Sequence, residues 1–218
     1  MNLAIFDLDN TLLNGDSDYL WGRFLAAEGI VDGEHYEREN QRFYDEYKMG
    51  TLNIFEFLRF SLRPLADNKL ETMLDLRQRF METSIEPIIL PKARKLLQKH
   101  RDLGHVLLII TATNTFVTQP IAEALEIEHL IGTDPEFKDG RYTGEVSGTP
   151  SFREGKVERL SAWLEKNGYN LASSWFYSDS HNDLPLLEMV THPIVVDADD
   201  TLVQHAAAKG WENISLRD

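Results

Sequence analysis

The chain contains no cysteine, which removes disulfides, thiolate metal sites and cysteine nucleophiles from consideration. Basic residues are scarce: 22 Lys and Arg stand against 36 Asp and Glu, a formal net charge of -14 at pH 7. Surfaces that track nucleic-acid phosphates or anionic lipids need clustered Lys and Arg, so the balance argues against both partners. Long apolar runs are missing as well. The longest, Val106 to Ile110, is far below the roughly 18 residues that a membrane span requires. Residues 1–6 run straight into Asp7 with no basic segment ahead of them, so no secretory signal is read there and a cytoplasmic protein is expected. There is no internal repeat, low-complexity tract or linker.

With 218 residues, 42% of them hydrophobic and 27% charged, the chain can close one sizeable core plus a small satellite. Short apolar runs at Leu3 to Phe6, Val106 to Thr111, Trp175 to Ser178 and Ile194 to Val196 suit strands buried on both faces of a parallel sheet. Between them, Lys92 to His100, Phe116 to Leu125 and Lys156 to Lys166 carry the 3.6-residue spacing of amphipathic helices. This alternation predicts an α/β, doubly wound domain. From Tyr19 to about Thr83 the spacing is helical throughout, with Gly50 and Arg63-Pro64 as punctuation. A four-helix insert after the first strand is the expectation. Phe137 to Val146 reads as a hairpin because Asp139-Gly140 sits between alternating residues, a turn pair that favours tight connections.

The polar residues fall at strand ends. Asp7 and Asp9 follow the first strand in the run Asp7-Leu8-Asp9-Asn10-Thr11, and carboxylates at i and i+2 of an extended chain point to one side. Carboxyl ends of strands are where open α/β sheets bind ligands. Thr111 ends the Val106 run and leads through Ala112-Thr113-Asn114 toward a helix, whose free amides can bind an anion. Gly155-Lys156 opens another helix, and Asp179 to Asp183 follow the Trp175 run. Each feature alone has a structural reading as a cap or a surface residue; their occurrence together, in this order, points to one site.

These residues resemble the haloacid dehalogenase superfamily, and within it the branch containing phosphoserine phosphatase. The resemblance spans the whole chain, through Asp7-x-Asp9-x-Thr11, Thr111, Lys156 and Asp179-x-x-x-Asp183. It implies a Rossmann-like core of residues 1–15 and 86–218, a helical cap of residues 16–85, and Mg²⁺-dependent hydrolysis of a small phosphate monoester. Asp7 would be the nucleophile that forms an aspartyl phosphate. Asp9 would be the general acid and base, with a pKa raised by burial and like charge. Converging carboxylates call for a divalent cation, and all-oxygen ligands point to Mg²⁺ held by Asp7, Asp179, the carbonyl of Asp9 and Asp183. Lys156 would hold Asp7 and the phosphoryl oxygens. Thr11, Thr111, Ala112 and Thr113 would border the phosphoryl group, with Asn182 nearby. His181 reads as an exposed loop histidine.

The insert bears on the substrate. Nine residues after Asp7 stands Asp16, where phosphoserine enzymes resembling this chain carry an acid for the substrate amine. Their cap arginine for the substrate carboxylate falls, counted from Gly50, on Ser61, with Arg59 and Arg63 two residues to either side. Arg59 is therefore the candidate for that contact. The run Tyr177 to Leu187 looks like the histidinol-phosphate phosphatase group, whose substrate has an amine and no carboxylate. Phosphoserine phosphatase, a phosphotransferase or phosphomutase, and a non-enzymatic phosphate-binding module are the alternatives, and the assembly is a monomer or homodimer. Trp21, Phe43, Tyr44, Tyr47 and Phe55 divide between the insert's core and the leaving-group side, and spacing does not sort them.

Overall fold

The computed structural model describes residues 2–217. Strand β1 (Leu3–Phe6) is buried along its whole length, and its side chains alternate between two apolar cores. Ala4 and Phe6 join one, Leu3 and Ile5 the other. Strands β2 (Val106–Asn114), β5 (Ser174–Ser178) and β6 (His192–Val196) divide in the same way: Leu107, Ile109, Tyr177, Ile194 and Val196 face the first core, and Leu108, Ile110, Phe176 and Val195 the second. Continuous apolar runs are needed because both faces of this sheet are covered.

Among the described residues seven strands form one sheet, completed by β3 (His129–Lys138), β4 (Arg141–Ser147) and β7 (Glu212–Ile214), in the order β4-β3-β2-β1-β5-β6-β7. All neighbours are parallel except β3 and β4. The hairpin between those two turns at Asp139-Gly140, both at positive φ, as a tight I′-like connection requires. Most of β3 and all of β7 go beyond the sequence expectation. Gly132 and Pro135 interrupt the apolar pattern of β3, and β7 is only three residues long with Glu212 and Asn213 exposed.

Helices α5 (Pro91–Asp102) and α6 (Thr115–Ala124) cover the first face; α7 (Glu154–Asn167), α8 (Leu184–Leu187) and α9 (Asp200–Lys209) cover the second. After β1 the chain leaves into α1 (Ser17–Ala27), α2 (Gly33–Lys48), α3 (Ile54–Asp67) and α4 (Leu70–Phe80). Asp16, Asp32 and Asn53 cap the first three by accepting a bond from the amide three residues on, which satisfies a donor that the helix itself cannot. Arg63-Pro64 does not end a helix as its composition suggested, since α3 continues through to Asp67. Pro64 has no N–H for the Phe60 carbonyl, and the Tyr36 hydroxyl donates to that oxygen instead, at 3.4 Å.

The insert shares the first core: Trp21 stacks near Phe24, Phe80 and Phe116 with ring centroids 5.1 to 6.0 Å apart. Its two crossings to the sheet lie side by side, tied by Asn14 N–H to Ile88 O at 2.8 Å and Leu90 N–H to Leu12 O at 3.1 Å.

Beneath the same core His100 is buried, 2.9 Å from the Tyr177 hydroxyl and 2.8 Å from His105 Nδ1. Burial, helped by His105 and Lys99, pulls its pKa down to about 4. As pH falls below about 6.5 the unfolded chain takes up a proton that the folded chain refuses, so this group removes stability toward acid. The urea stability of wild type minus that of His100→Gln should therefore fall by about 2 kcal/mol between about pH 7.5 and about pH 5. A difference independent of pH would show that His100 protonates equally well in both states.

Candidate active site

The site is assembled by strand register. Phe6 pairs with Ile109 on one side and Tyr177 on the other, so the residues that follow each strand emerge together at one edge of the sheet. Asp7 N–H donates to the Tyr177 carbonyl at 2.9 Å. The turn beyond it depends on Asn10, which adopts φ 57, a left-handed conformation that asparagine tolerates better than most residues.

Lys156 stands at the centre. Its Nζ lies 2.8 Å from Asp7 Oδ1 and 2.7 Å from Asp183 Oδ1, and all three side chains are almost fully buried. Burial works against the lysine's charge, but Asp183 and Asp7 outweigh it and hold its pKa above the ordinary lysine value. Its position requires Gly155: a Cβ there would fall 2.0 Å from the Pro150 carbonyl oxygen. Burial, with repulsion from Asp183 and Asp9, pushes Asp7 up to about 7 despite Lys156.

Asp9 is held by three donors. Ser17 N–H reaches Oδ1 at 2.6 Å, while the Thr113 and Thr111 hydroxyls reach Oδ2 at 2.9 and 3.4 Å. Burial and the charge of Asp16 raise its pKa to about 6, so it can hold a proton near neutral pH. Strand β2 runs on to Asn114, which is the N-cap of α6. The helix therefore opens after Asn114, and Thr111 contributes a hydroxyl from inside a strand.

Asp7, Asp9, Asp16, Thr111, Ala112 and Thr113 line one cleft of about 630 Å³ counting its mouth, walled on the insert side by Tyr19, Phe43, Tyr44, Tyr47 and Phe57. Asp18, Asn40 and Asn10 also line it. Sequence reasoning missed Asp18 and Asn40; the Asp16-x-Asp18 pair was visible, but only the first turn of α1 shows that both acids reach the cleft. Of the five aromatic residues left unsorted, Phe43, Tyr44 and Tyr47 line the cleft, Trp21 is core, and Phe55 is 56% exposed.

Four expectations need correcting. Arg59 is exposed on α3 and does not line the cleft, because the buried face of α3 is formed by Leu58, Ser61, Leu62 and Leu65. Thr11 is fully buried and donates to Asp179 Oδ1 at 3.3 Å instead of facing the cleft. Asn182 is buried behind it, joined to Arg153 Nε at 2.9 Å and to the Tyr47 carbonyl at 3.1 Å. Arg153, which no motif singled out, also donates to the Gly50 carbonyl, so this pair ties the insert to the core. His181 is half-buried and bonded to Asp199 Oδ2 at 2.8 Å.

The donor set for a cation is narrower than the motif count implies. Both oxygens of Asp183 are taken by Lys156, and Ser178 Oγ adds a bond of 2.7 Å, so Asp183 does not offer a free ligand atom. Both side-chain oxygens of Asp9 are occupied too, leaving its backbone carbonyl, which accepts no bond among the described residues. Among the described residues no three His, Asp or Glu side chains are grouped to hold an ion. What remains is Asp7 Oδ2, an oxygen of Asp179 and the Asp9 carbonyl, an all-oxygen set with water completing it, which suits a hard divalent cation. Burial and the charges of Asp7 and Asp183 hold Asp179 well above the usual carboxylate range.

A parallel sheet whose strand ends gather two aspartates, a buried lysine and a threonine defines a class of hydrolase. The haloacid dehalogenase-like hydrolase family matches residues 4–188, and the chain belongs to that family. Within it the chain is a phosphomonoester hydrolase. It is 44% identical over 220 residues to the histidinol-phosphatase of Neisseria meningitidis serogroup C (strain 8013), covering 99% of each chain. It is 30% identical over 212 residues to phosphoserine phosphatase SerB1 of Mycobacterium tuberculosis (strain ATCC 25618 / H37Rv), covering 96% of this chain and 69% of that one. Among solved structures, a protein with unknown function from Bordetella pertussis Tohama I is 45% identical with a TM-score of 0.93, covering 99% and 98% of the two chains. A phosphoserine phosphatase in a phospho-aspartyl intermediate analogue shares the fold, with a TM-score of 0.71 at 23% identity over 93% of this chain and 90% of that one.

Removing one partner of a buried ion group leaves an uncompensated charge, which typically costs about 3–5 kcal/mol. Lys156→Met should lower folding stability by that amount in urea titrations without added metal. An unchanged midpoint would show that Asp7 and Asp183 shed their charge freely and that the lysine does not hold the strand ends together.

Proposed function

We propose that the chain is a Mg²⁺-dependent phosphatase that hydrolyses a small phosphate monoester through an aspartyl phosphate on Asp7. The observation that carries this reading is the contrast between the two motif aspartates: Asp7 has one oxygen fixed by Lys156 and the other without a partner among the described residues, while Asp9 is hydrogen-bonded at both oxygens. The first geometry suits a nucleophile and the second a proton carrier. In the first step the Asp7 carboxylate bonds to phosphorus through one oxygen, the bond from phosphorus to the ester oxygen breaks, and Asp9 gives its proton to the departing alkoxide. In the second step Asp9 takes a proton from water as that oxygen attacks phosphorus, inorganic phosphate forms, and Asp7 is released. Lys156 holds Asp7 in line, and the Thr111 hydroxyl donates to the Asp9 carboxylate. Bound by Asp7, Asp179 and the Asp9 carbonyl, Mg²⁺ would supply neutralisation of the phosphoryl charge.

Residues 16–85 then act as a cap over a core of residues 1–15 and 86–218. Support comes from the cleft, whose walls alternate between Asp7 and Thr111 on one side and Asn40, Phe43 and Tyr44 on the other. Excluding water during transfer is the use such a cover has.

For the substrate, histidinol phosphate is the reading supported best. Among the described residues no Lys, Arg or His lines the cleft, while Asp16 does, so the cleft favours a substrate amine and offers no cation to a substrate carboxylate. The 44% identity to a histidinol-phosphatase points the same way.

With saturating Mg²⁺, Asp7→Asn should abolish turnover and Asp9→Asn should lower kcat by about 10² to 10⁴. Hydrolysis that survives Asp7→Asn would rule out the covalent route. Histidinol phosphate should exceed phosphoserine in kcat/KM; the reverse order would reassign the substrate.

A further inference from the structure

Asp18 lines the cleft at 7% exposure, and the reaction leaves it without a task. One oxygen accepts a bond of 3.1 Å from Asn114 Nδ2. Asn114 is itself pinned, because its Oδ1 caps α6 by accepting from Val117 N–H at 3.2 Å. The carboxylate is thus held in a fixed direction by the backbone of the core. Its second oxygen has no partner among the described residues.

Asn40 gives an independent sign in the same cleft. It is 4% exposed, its Nδ2 donates to the Tyr19 carbonyl at 2.9 Å, and its side-chain oxygen has no donor among the described residues. Two acceptor oxygens on largely buried side chains therefore open onto a cleft lined by no Lys, Arg or His among the described residues. A carboxylate with so little access to water gains most from a cationic or N–H partner, and a ligand in the cleft can bring one. Flat rings of Tyr44 and Phe57 stand in the same walls, the surroundings in which a planar cation is held well.

We propose that Asp18 is a specificity-determining residue that receives a second cationic or N–H group of the substrate, a planar nitrogen heterocycle, with Asn40 as its companion acceptor. This rests on the reading above, in which Asp16 takes the substrate amine. The substrate class is then a phosphate ester with an ammonium group and a heteroaromatic N–H on one short skeleton. Asp16 distinguishes amines from uncharged esters, and Asp18 distinguishes heterocycle-bearing amines from plain ones. Burial and the charges of Asp16 and Asp9 hold the Asp18 carboxyl well above its usual range, in keeping with a group whose counter-charge is supplied by the ligand.

The test uses the full-length enzyme with Mg²⁺ and three esters: histidinol phosphate, O-phosphoethanolamine and 4-nitrophenyl phosphate. For Asp18→Asn, the ratio of kcat/KM for histidinol phosphate to that for O-phosphoethanolamine should fall about tenfold or more, chiefly through KM, and Asp18→Glu should restore part of it. Asp16→Asn should instead lower both amine esters relative to 4-nitrophenyl phosphate. An unchanged ratio in Asp18→Asn, with all three esters reduced in parallel, would make Asp18 structural and overturn the proposal. A measurement on wild type is independent of any variant's folding: histidinol should compete about tenfold or more better than phenylalaninol, which keeps the amino alcohol and a flat ring but has no ring N–H. Equal inhibition would overturn the proposal. A wild-type enzyme that hydrolyses none of the three esters would overturn the functional reading as well, whereas an unchanged ratio on an active enzyme overturns only the role of Asp18.

Discussion

Three charged groups with almost no access to water, Lys156 between Asp7 and Asp183, fix how the rest of the molecule is arranged. Such a group is stable only with close geometry and further hydrogen bonds. The parallel sheet supplies that geometry by ending β1 and β5 side by side, Ser178 adds a bond to Asp183, and the tight approach of Gly155 to Pro150 brings the lysine in from α7. Elements far apart in sequence are thereby committed to one point at the sheet edge.

One ammonium does not balance the carboxylates gathered there. Asp9, Asp16, Asp18 and Asp179 add to the two that Lys156 already serves, and burial raises the pKa of each of these four. The surplus falls into two parts with different remedies. On the phosphoryl side, free oxygens of Asp7 and Asp179 and the Asp9 carbonyl suit a divalent cation. On the leaving-group side no protein cation faces Asp16 and Asp18, so the balancing charge belongs to the substrate. Under the proposed reaction, a protein of net charge -14 would bind a phosphate ester only with a cation that outweighs the carboxylates around Lys156.

Much of this was legible in the sequence, for identifiable reasons. The apolar runs of β1, β2, β5 and β6 stand out because both sheet faces are buried, and the helical insert stands out because amphipathic spacing persists from α1 to α4. Asp7, Asp9 and Lys156 could be found because each follows a strand or opens a helix, and Thr111 because it closes the apolar run of β2 although the strand continues to Asn114. The misses concern partners, which spacing does not reveal. Asp183 looks like a ligand until Lys156 is seen to occupy both its oxygens. Arg59 looks like a carboxylate receptor until the rotation of α3 turns it outward, and Asn182 looks like a substrate contact until Arg153 and the Tyr47 carbonyl claim it. Asp18 is the converse: one more acid in an acidic chain until the first turn of α1 brings it to the cleft wall.

The proposed reaction depends on Asp7 as the residue that receives phosphorus. Rapid acid quench of wild type during turnover, borohydride reduction and peptide mass analysis would locate the phosphoryl acceptor directly. The expected result is reduction confined to Asp7 in the peptide that carries it, dependent on substrate and on Mg²⁺. Reduction at any other carboxylate, or none at all while a kinetic burst shows an enzyme-bound phosphoryl group, would contradict it.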